Sequence, residues 1–89
     1  IASLPAEIGQ LKQLRMLGVS ENNIIELPVE ICSLEHLIEL DLRKNKLHRL
    51  PPEIGRITSL QKLFVRNNQL SVLPPEIGEL TRLEPLLLK

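Results

Sequence analysis

The residues of this chain that could take part in catalysis are two histidines, His36 and His48, and one cysteine, Cys32. A general base acts on a nucleophile within hydrogen-bond reach and is oriented by a further polar group. No paired nucleophile or orienting carboxylate recurs near either histidine. Cys32 falls inside a predicted turn, where an ordinary buried thiol is favoured over a nucleophile. We therefore predict surface histidines, a buried cysteine and no enzymatic activity.

Composition argues against several other classes of function. The chain has 11 basic and 11 acidic residues and one aromatic residue, Phe64, so it lacks the footprint of a nucleic-acid-binding protein. No spacing typical of metal ligands or of a phosphate-binding loop occurs, so no cofactor is predicted. No apolar run reaches about 18 residues, which argues against membrane insertion. A single cysteine and the lack of an Asn-x-Ser/Thr acceptor favour a cytoplasmic location.

The polar and apolar residues follow a repeated frame that is clearest between Leu37 and Leu47. The frame reads Leu-x-x-Leu-x-Leu-x-x-Asn-x-Leu, and its first leucine recurs at positions 14, 37, 60 and 83, every 23 residues. A second motif, Leu-Pro-x-Glu-Ile, begins at positions 4, 27, 50 and 73. A repeat of this length indicates stacked units that bury their leucines against one another.

Each repeat unit is expected to contain one strand and one short helical turn. Alternation over 37–42 predicts a strand of about 3–5 residues, with Leu40 inward and Glu39 and Asp41 outward. The Leu-Pro pair predicts an extended bend, because proline fixes φ. The rest of the motif suits a helical or 3₁₀ turn, in which glycine is expected to let the chain break away. This glycine position is occupied by Gly9, Cys32, Gly55 and Gly78.

An asparagine follows each predicted strand, at Asn22, Asn45 and Asn68. A buried amide can satisfy both the donors and the acceptors of neighbouring turns. We therefore favour an internal ladder of hydrogen bonds over the alternative, a polar row that binds a ligand.

The whole chain resembles the leucine-rich repeat family. The form Leu-Pro-x-Glu-Ile-Gly is similar to the 23-residue class found in cytoplasmic signalling scaffolds, such as the Ras-group plant proteins and the Scribble and Erbin group. The resemblance implies an α/β solenoid with a short parallel sheet on a concave, protein-binding side and 3₁₀ or short helical turns on the convex side. We predict one domain over 1–89, with about three full and two partial repeats and no cap units.

The outward positions of the strands form the candidate protein-binding surface. Residues in one column of adjacent strands are expected to lie about 5 Å apart. Arg43, Arg66 and Lys89 would then form a file of like charges. This file either binds an acidic patch on a partner or is a solvated face that nearby carboxylates neutralise. The candidate residues are Met16, Gly18, Glu39, Asp41, Arg43, Lys62, Phe64, Arg66, Leu87 and Lys89.

Phe64 and Leu87 share one outward column. An aromatic side chain with arginine neighbours is typical of an interface hot spot. Scattered surface apolar residues are also ordinary, and Leu87 could instead cover the open end of the stack.

The repeats therefore predict a protein-interaction module within a larger signalling or scaffold protein, and its partner is expected to be another protein. The alternative is a structural unit that self-associates, because uncapped ends would expose apolar surface and a strand edge. Pro85 in the last predicted strand would discourage growth at that end.

Overall fold

The strands form one small parallel sheet. A computed structural model describes residues 4–70 and 73–84, so Pro85, Leu87 and Lys89 lie outside the described residues. Within these described ranges the three strands are Met16–Gly18 (β1), Glu39–Asp41 (β2) and Lys62–Phe64 (β3), in the order β1-β2-β3. Four 3₁₀ helices alternate with them along the chain: Ala6–Gln10 (η1), Val29–Ser33 (η2), Pro52–Arg56 (η3) and Pro75–Glu79 (η4).

The strand register follows the repeat. Leu17 pairs with Leu40, which pairs with Leu63, so the central leucines of the three strands lie side by side. Leu40 is fully buried and Leu63 nearly so, whereas their neighbours along the strands face outward. The inward leucines therefore fix the register, because a slip of one residue would expose them.

A proline begins each 3₁₀ helix. Pro5, Pro28, Pro51 and Pro74 all have extended backbone, with φ between −70° and −65°. This geometry matches the fixed φ of proline and turns the chain out of the preceding extended segment. Each helix then ends where the next apolar residue donates its backbone N–H to the carbonyl of the isoleucine three residues earlier, as Leu34 does to Ile31 over 3.2 Å.

The core lies between the sheet and the 3₁₀ helices. Its fully buried side chains are Ile24, Ile31, Leu34, Leu37, Leu40, Leu42, Leu47, Ile54, Ile57 and Leu60. All come from the repeat frame, and adjacent units bury each other's members. The predicted α/β solenoid with 3₁₀ turns is confirmed. None of the described helical segments is long and apolar enough to cross a membrane.

The glycine position of the 3₁₀ helices has a different role from the one predicted. All of the chain's glycines have negative φ, so none supplies a left-handed bend. Glycine is needed for close approach instead: a Cβ on Gly9 would lie 2.7 Å from the Glu30 carbonyl oxygen, and one on Gly55 would lie 2.8 Å from that of Glu76. Cys32 occupies this position in η2, and the chain leaves that helix at Leu34 with ψ 93°, against 67° after η1 and η3.

Left-handed backbone occurs at the bend after each strand. Glu21, Lys44 and Asn67, which share one repeat position, have φ of 62°, 59° and 59°. Each of these residues directly precedes the repeated asparagine of its own unit. The left-handed residue turns the chain so that the following amide points into the stack.

Candidate functional site

The outward face of the sheet presents two columns of side chains. Met16, Glu39 and Lys62 lie opposite one another in the register, as do Gly18, Asp41 and Phe64. Met16 and Lys62 are exposed, whereas Glu39, Asp41 and Phe64 are half-buried. Arg43 and Arg66 follow β2 and β3 at equivalent positions, and both are exposed. The structure thus brings these predicted site residues together on one face.

A bidentate ion pair lies at the centre of this face. The Arg43 Nε donates to Asp41 Oδ1 over 2.9 Å, and its Nη2 donates to Oδ2 over 2.8 Å. The Arg43 backbone N–H also donates to Oδ1, over 3.1 Å. These hydrogen bonds hold the pKa of Asp41 below its usual range, so the carboxylate is charged at neutral pH. The pair neutralises itself and fixes the arginine side chain.

Arg43 also covers Phe64. Its guanidinium carbon lies 5.0 Å from the centre of the phenyl ring, in range for a cation–π contact. One guanidinium therefore joins a carboxylate of β2 to the aromatic side chain of β3. Sequence reasoning placed the three residues on one face but missed this contact, whose signal was the diagonal Arg43–Phe64 neighbourhood across adjacent strands.

β1 presents uncharged, exposed residues to the outward face of the sheet. Met16 is 63% exposed, and a Cβ added to Gly18 would meet no atom within 4 Å. Ser20, after the strand, is exposed as well. The outward face is therefore uncharged at β1, where Gly18 has no side chain, and carries its charged and aromatic residues on β2 and β3.

The asparagines lie inside the stack rather than on this face. Asn45 Oδ1 accepts the backbone N–H groups of Asn22 and Ile24, each over 3.0 Å. Its amide nitrogen donates to the carbonyls of Val19 and Leu42, each over 3.0 Å. Asn68 repeats the pattern one unit later, accepting the Leu47 N–H and donating to the Leu42 carbonyl. Each amide thus ties its own bend to that of the preceding unit.

The three residues considered for catalysis differ in burial. Cys32 is buried in η2, and burial raises the pKa of its thiol to about 11, with a smaller contribution from Glu53. His36 and His48 are both exposed. Within residues 4–70 and 73–84, no group of three or more potential ligands could hold a metal ion. The raised pKa of Cys32 disfavours its thiolate, the form in which a cysteine acts as a nucleophile.

The arrangement of stacked strand-and-turn units with an inward asparagine at each bend defines a repeat solenoid. The leucine rich repeat family model matches residues 12–70, which is more than half of the chain. The chain belongs to the leucine-rich repeat family.

Two solved structures are similar to this chain. A leucine-rich repeat protein of Leptospira interrogans is 45% identical, with a TM-score of 0.94, over 97% of this chain and 22% of that one. The plant peptide hormone receptor RGFR1, solved in complex with RGF2, is 34% identical, with a TM-score of 0.84, over 97% of this chain and 14% of that one. The chain spans less than a quarter of either neighbour. No curated protein matches it.

Proposed function

We propose that the chain is a non-catalytic protein-interaction module that binds its partner on the outward, concave face of the sheet. The observation that carries the proposal is Phe64, an aromatic side chain on a strand face, held beneath the ion-paired Arg43. Aromatic and arginine side chains that are already fixed lose little entropy on binding, which is why they dominate interfaces. The similarity to a plant peptide hormone receptor supports a protein or peptide as the partner.

We base the proposed role within a larger protein on the sequence. A role within a larger signalling or scaffold protein is supported by the resemblance of the Leu-Pro-x-Glu-Ile-Gly repeats to that class. The cytoplasmic location and the organisation of 1–89 as a single domain stay predictions.

Phe64→Ala tests the proposal, with Val29→Ala as the matched control. Val29 is 46% exposed and lies in η2, on the opposite side from the sheet. Peptides would be selected from a phage-displayed random library against the unmodified chain, and their affinities measured by fluorescence polarisation. We expect Phe64→Ala to weaken binding by about tenfold or more, as for a hot spot, and Val29→Ala to leave it unchanged. Equal affinity for both variants at unchanged stability would contradict the proposal.

Self-association is the second candidate function, and a specific observation favours it. Leu11 is 51% exposed, whereas the equivalent residues of the next two units, Leu34 and Ile57, are fully buried. In the 89-residue chain, this exposed apolar side chain offers a surface on which a second copy packs.

A further inference from the structure

We propose that the partner segment is extended and acidic, with an apolar residue that packs on Phe64 between carboxylates that contact Lys62 and Arg66. This inference rests on the proposed function, because it names the chemistry of the partner at the same face. It follows from which charges on the face are already paired and which are not.

The basic residues on and just after β3 lie outside the ion pairs of the described residues. They join Arg43 to Asp41, Lys44 to Glu21 and Arg49 to Glu26. Lys62 and Arg66 enter none of these pairs, and both are exposed. Glu39 pairs with Lys62 in the strand register, but the two side chains form no ion pair within 4.0 Å. The charges available to a partner beside Phe64 are therefore mainly positive.

The central ion pair removes the main source of repulsion. Asp41 would repel an acidic partner if its charge were uncompensated, but two side-chain hydrogen bonds bind it to Arg43. The guanidinium of this pair also lies over the Phe64 ring, 5.0 Å from its centre, so the ring has a positive charge beside it. An acidic segment that lies along β3 therefore meets Lys62 and Arg66, and among the described residues of the face the carboxylate outside an ion pair is Glu39, opposite Lys62.

The spacing along β3 defines the pattern of the segment. Lys62 lies two residues before Phe64 within β3, and the exposed Arg66 lies two residues after it, just past the end of the strand, where it continues the same outward alternation. At about 3.3 Å per residue, the two basic residues are about 13 Å apart along an extended chain. A partner strand running alongside has the same rise. It would match them with acidic residues two positions before and two positions after its apolar residue.

A selection experiment reads this pattern directly. A phage-displayed library of random linear peptides would be panned in parallel against the unmodified chain and against the double variant Lys62→Glu, Arg66→Glu. Both residues are exposed, so urea unfolding should show that the variant keeps its fold. A neutral double variant, Lys62→Gln with Arg66→Gln, provides a second test if charge reversal disturbs the sheet.

We expect the unmodified chain to enrich peptides with Asp or Glu on both sides of an apolar residue at this spacing. The charge-reversed variant should bind those peptides about tenfold or more weakly and enrich Lys or Arg instead, since like charges across an interface are repelled. The affinity of the acidic peptides should also fall as salt is added.

The possible outcomes test the acidic partner and the proposed protein-binding function separately. Peptides that need Phe64 but show no preference for acidic residues would overturn the acidic partner and leave the binding face intact. Peptides that bind Phe64→Ala as well as the unmodified chain would overturn the proposed function itself. A library that yields no enriched peptide would overturn both.

Discussion

At the scale of single residues, the buried Asn45 side chain forms hydrogen bonds with the backbone of two repeat units. Its side-chain oxygen accepts the backbone N–H groups of Asn22 and Ile24. In contrast, the carbonyls of Val19 and Leu42, to which its nitrogen donates, also accept from Asn22 and Asn68 respectively. Removing the Asn45 side chain therefore orphans two donors but leaves those two acceptors satisfied.

Asn45→Ala is accordingly expected to lower the free energy of unfolding by about 2–4 kcal/mol, because each buried unpaired N–H costs about 1–3 kcal/mol. Asn22→Ala is the matched control. Among the described residues, its amide nitrogen donates to the Val19 and Ser20 carbonyls, so we expect a loss of about 1 kcal/mol. Urea unfolding monitored by circular dichroism measures both. Equal losses would mean that the ladder does not depend on satisfying the neighbouring unit.

Residue types explain why some local geometry could be predicted and some could not. Asparagine recurs at each bend, and its amide chemistry predicts a paired, internal position. The left-handed residue just before it is Glu21, Lys44 or Asn67. Only asparagine among these favours that conformation, so two of the three units carry no local signal. The bend is set instead by the asparagine hydrogen bonds and the stacking of units.

At the scale of elements, the 3₁₀ helices are the parts whose spacing is most tightly constrained. Gly55 lets η3 approach the backbone of η4, whereas a Cβ on Gly78 would meet no atom within 4 Å. The two glycines occupy the same repeat position in identical Pro-Glu-Ile-Gly contexts. They therefore provide a matched pair in which close packing is the main difference.

Gly55→Ala is expected to destabilise the fold by about 1–3 kcal/mol, since the added methyl group overpacks against a backbone carbonyl. Gly78→Ala should be neutral or raise stability by up to about 1 kcal/mol, because alanine restricts the unfolded chain at a φ it can adopt. Thermal and urea unfolding of the two variants would give the difference. If Gly55→Ala were as stable as Gly78→Ala, the turns would have to separate at little cost.

The strands were predictable from alternation and period, because only one register buries Leu17, Leu40 and Leu63 together. The helical turns were predictable from proline, but the reason for their glycine was not. The sequence around each glycine suggests that it adopts a φ unfavourable to other residues. In the structure, glycine is needed because the backbone of the neighbouring turn leaves no room for a Cβ atom. Contacts between units, such as that of Arg43 with Phe64, likewise depend on side-chain directions that the repeat alone leaves open.

At the scale of the whole molecule, zero net charge conceals a separation of charge. A glutamate lies in the first turn of every 3₁₀ helix, at Glu7, Glu30, Glu53 and Glu76. The opposite, outward face of the sheet carries Lys62, Arg66 and Arg43 against Glu39 and Asp41, so basic residues outnumber acidic ones there. The field of such a molecule would orient an acidic partner toward the sheet during encounter and repel it from the turns. The inferred chemistry of the partner is thus consistent at both scales.

The 89-residue chain also exposes the apolar side chain of Leu11. The later residues of its column are buried by stacking, as Leu34 and Ile57 are. Beside it, β1 is paired on one side only in the described sheet. Leu11 is already about half buried, so burying the rest of it contributes about 1 kcal/mol, and an unpaired strand edge adds backbone hydrogen bonds that a second chain can complete.

We expect the molar mass of the 89-residue chain to rise above 10.1 kDa with concentration in analytical ultracentrifugation. Leu11→Glu should hold it at the monomer value, because a charge at this exposed position would be buried without a partner on association. Met16→Glu is the control, since Met16 is also exposed but lies on the outward face of β1. A constant mass for the unmodified chain would rule out the self-association alternative. Association that is lost in Met16→Glu but not in Leu11→Glu would show that copies meet on the concave face, in competition with the partner.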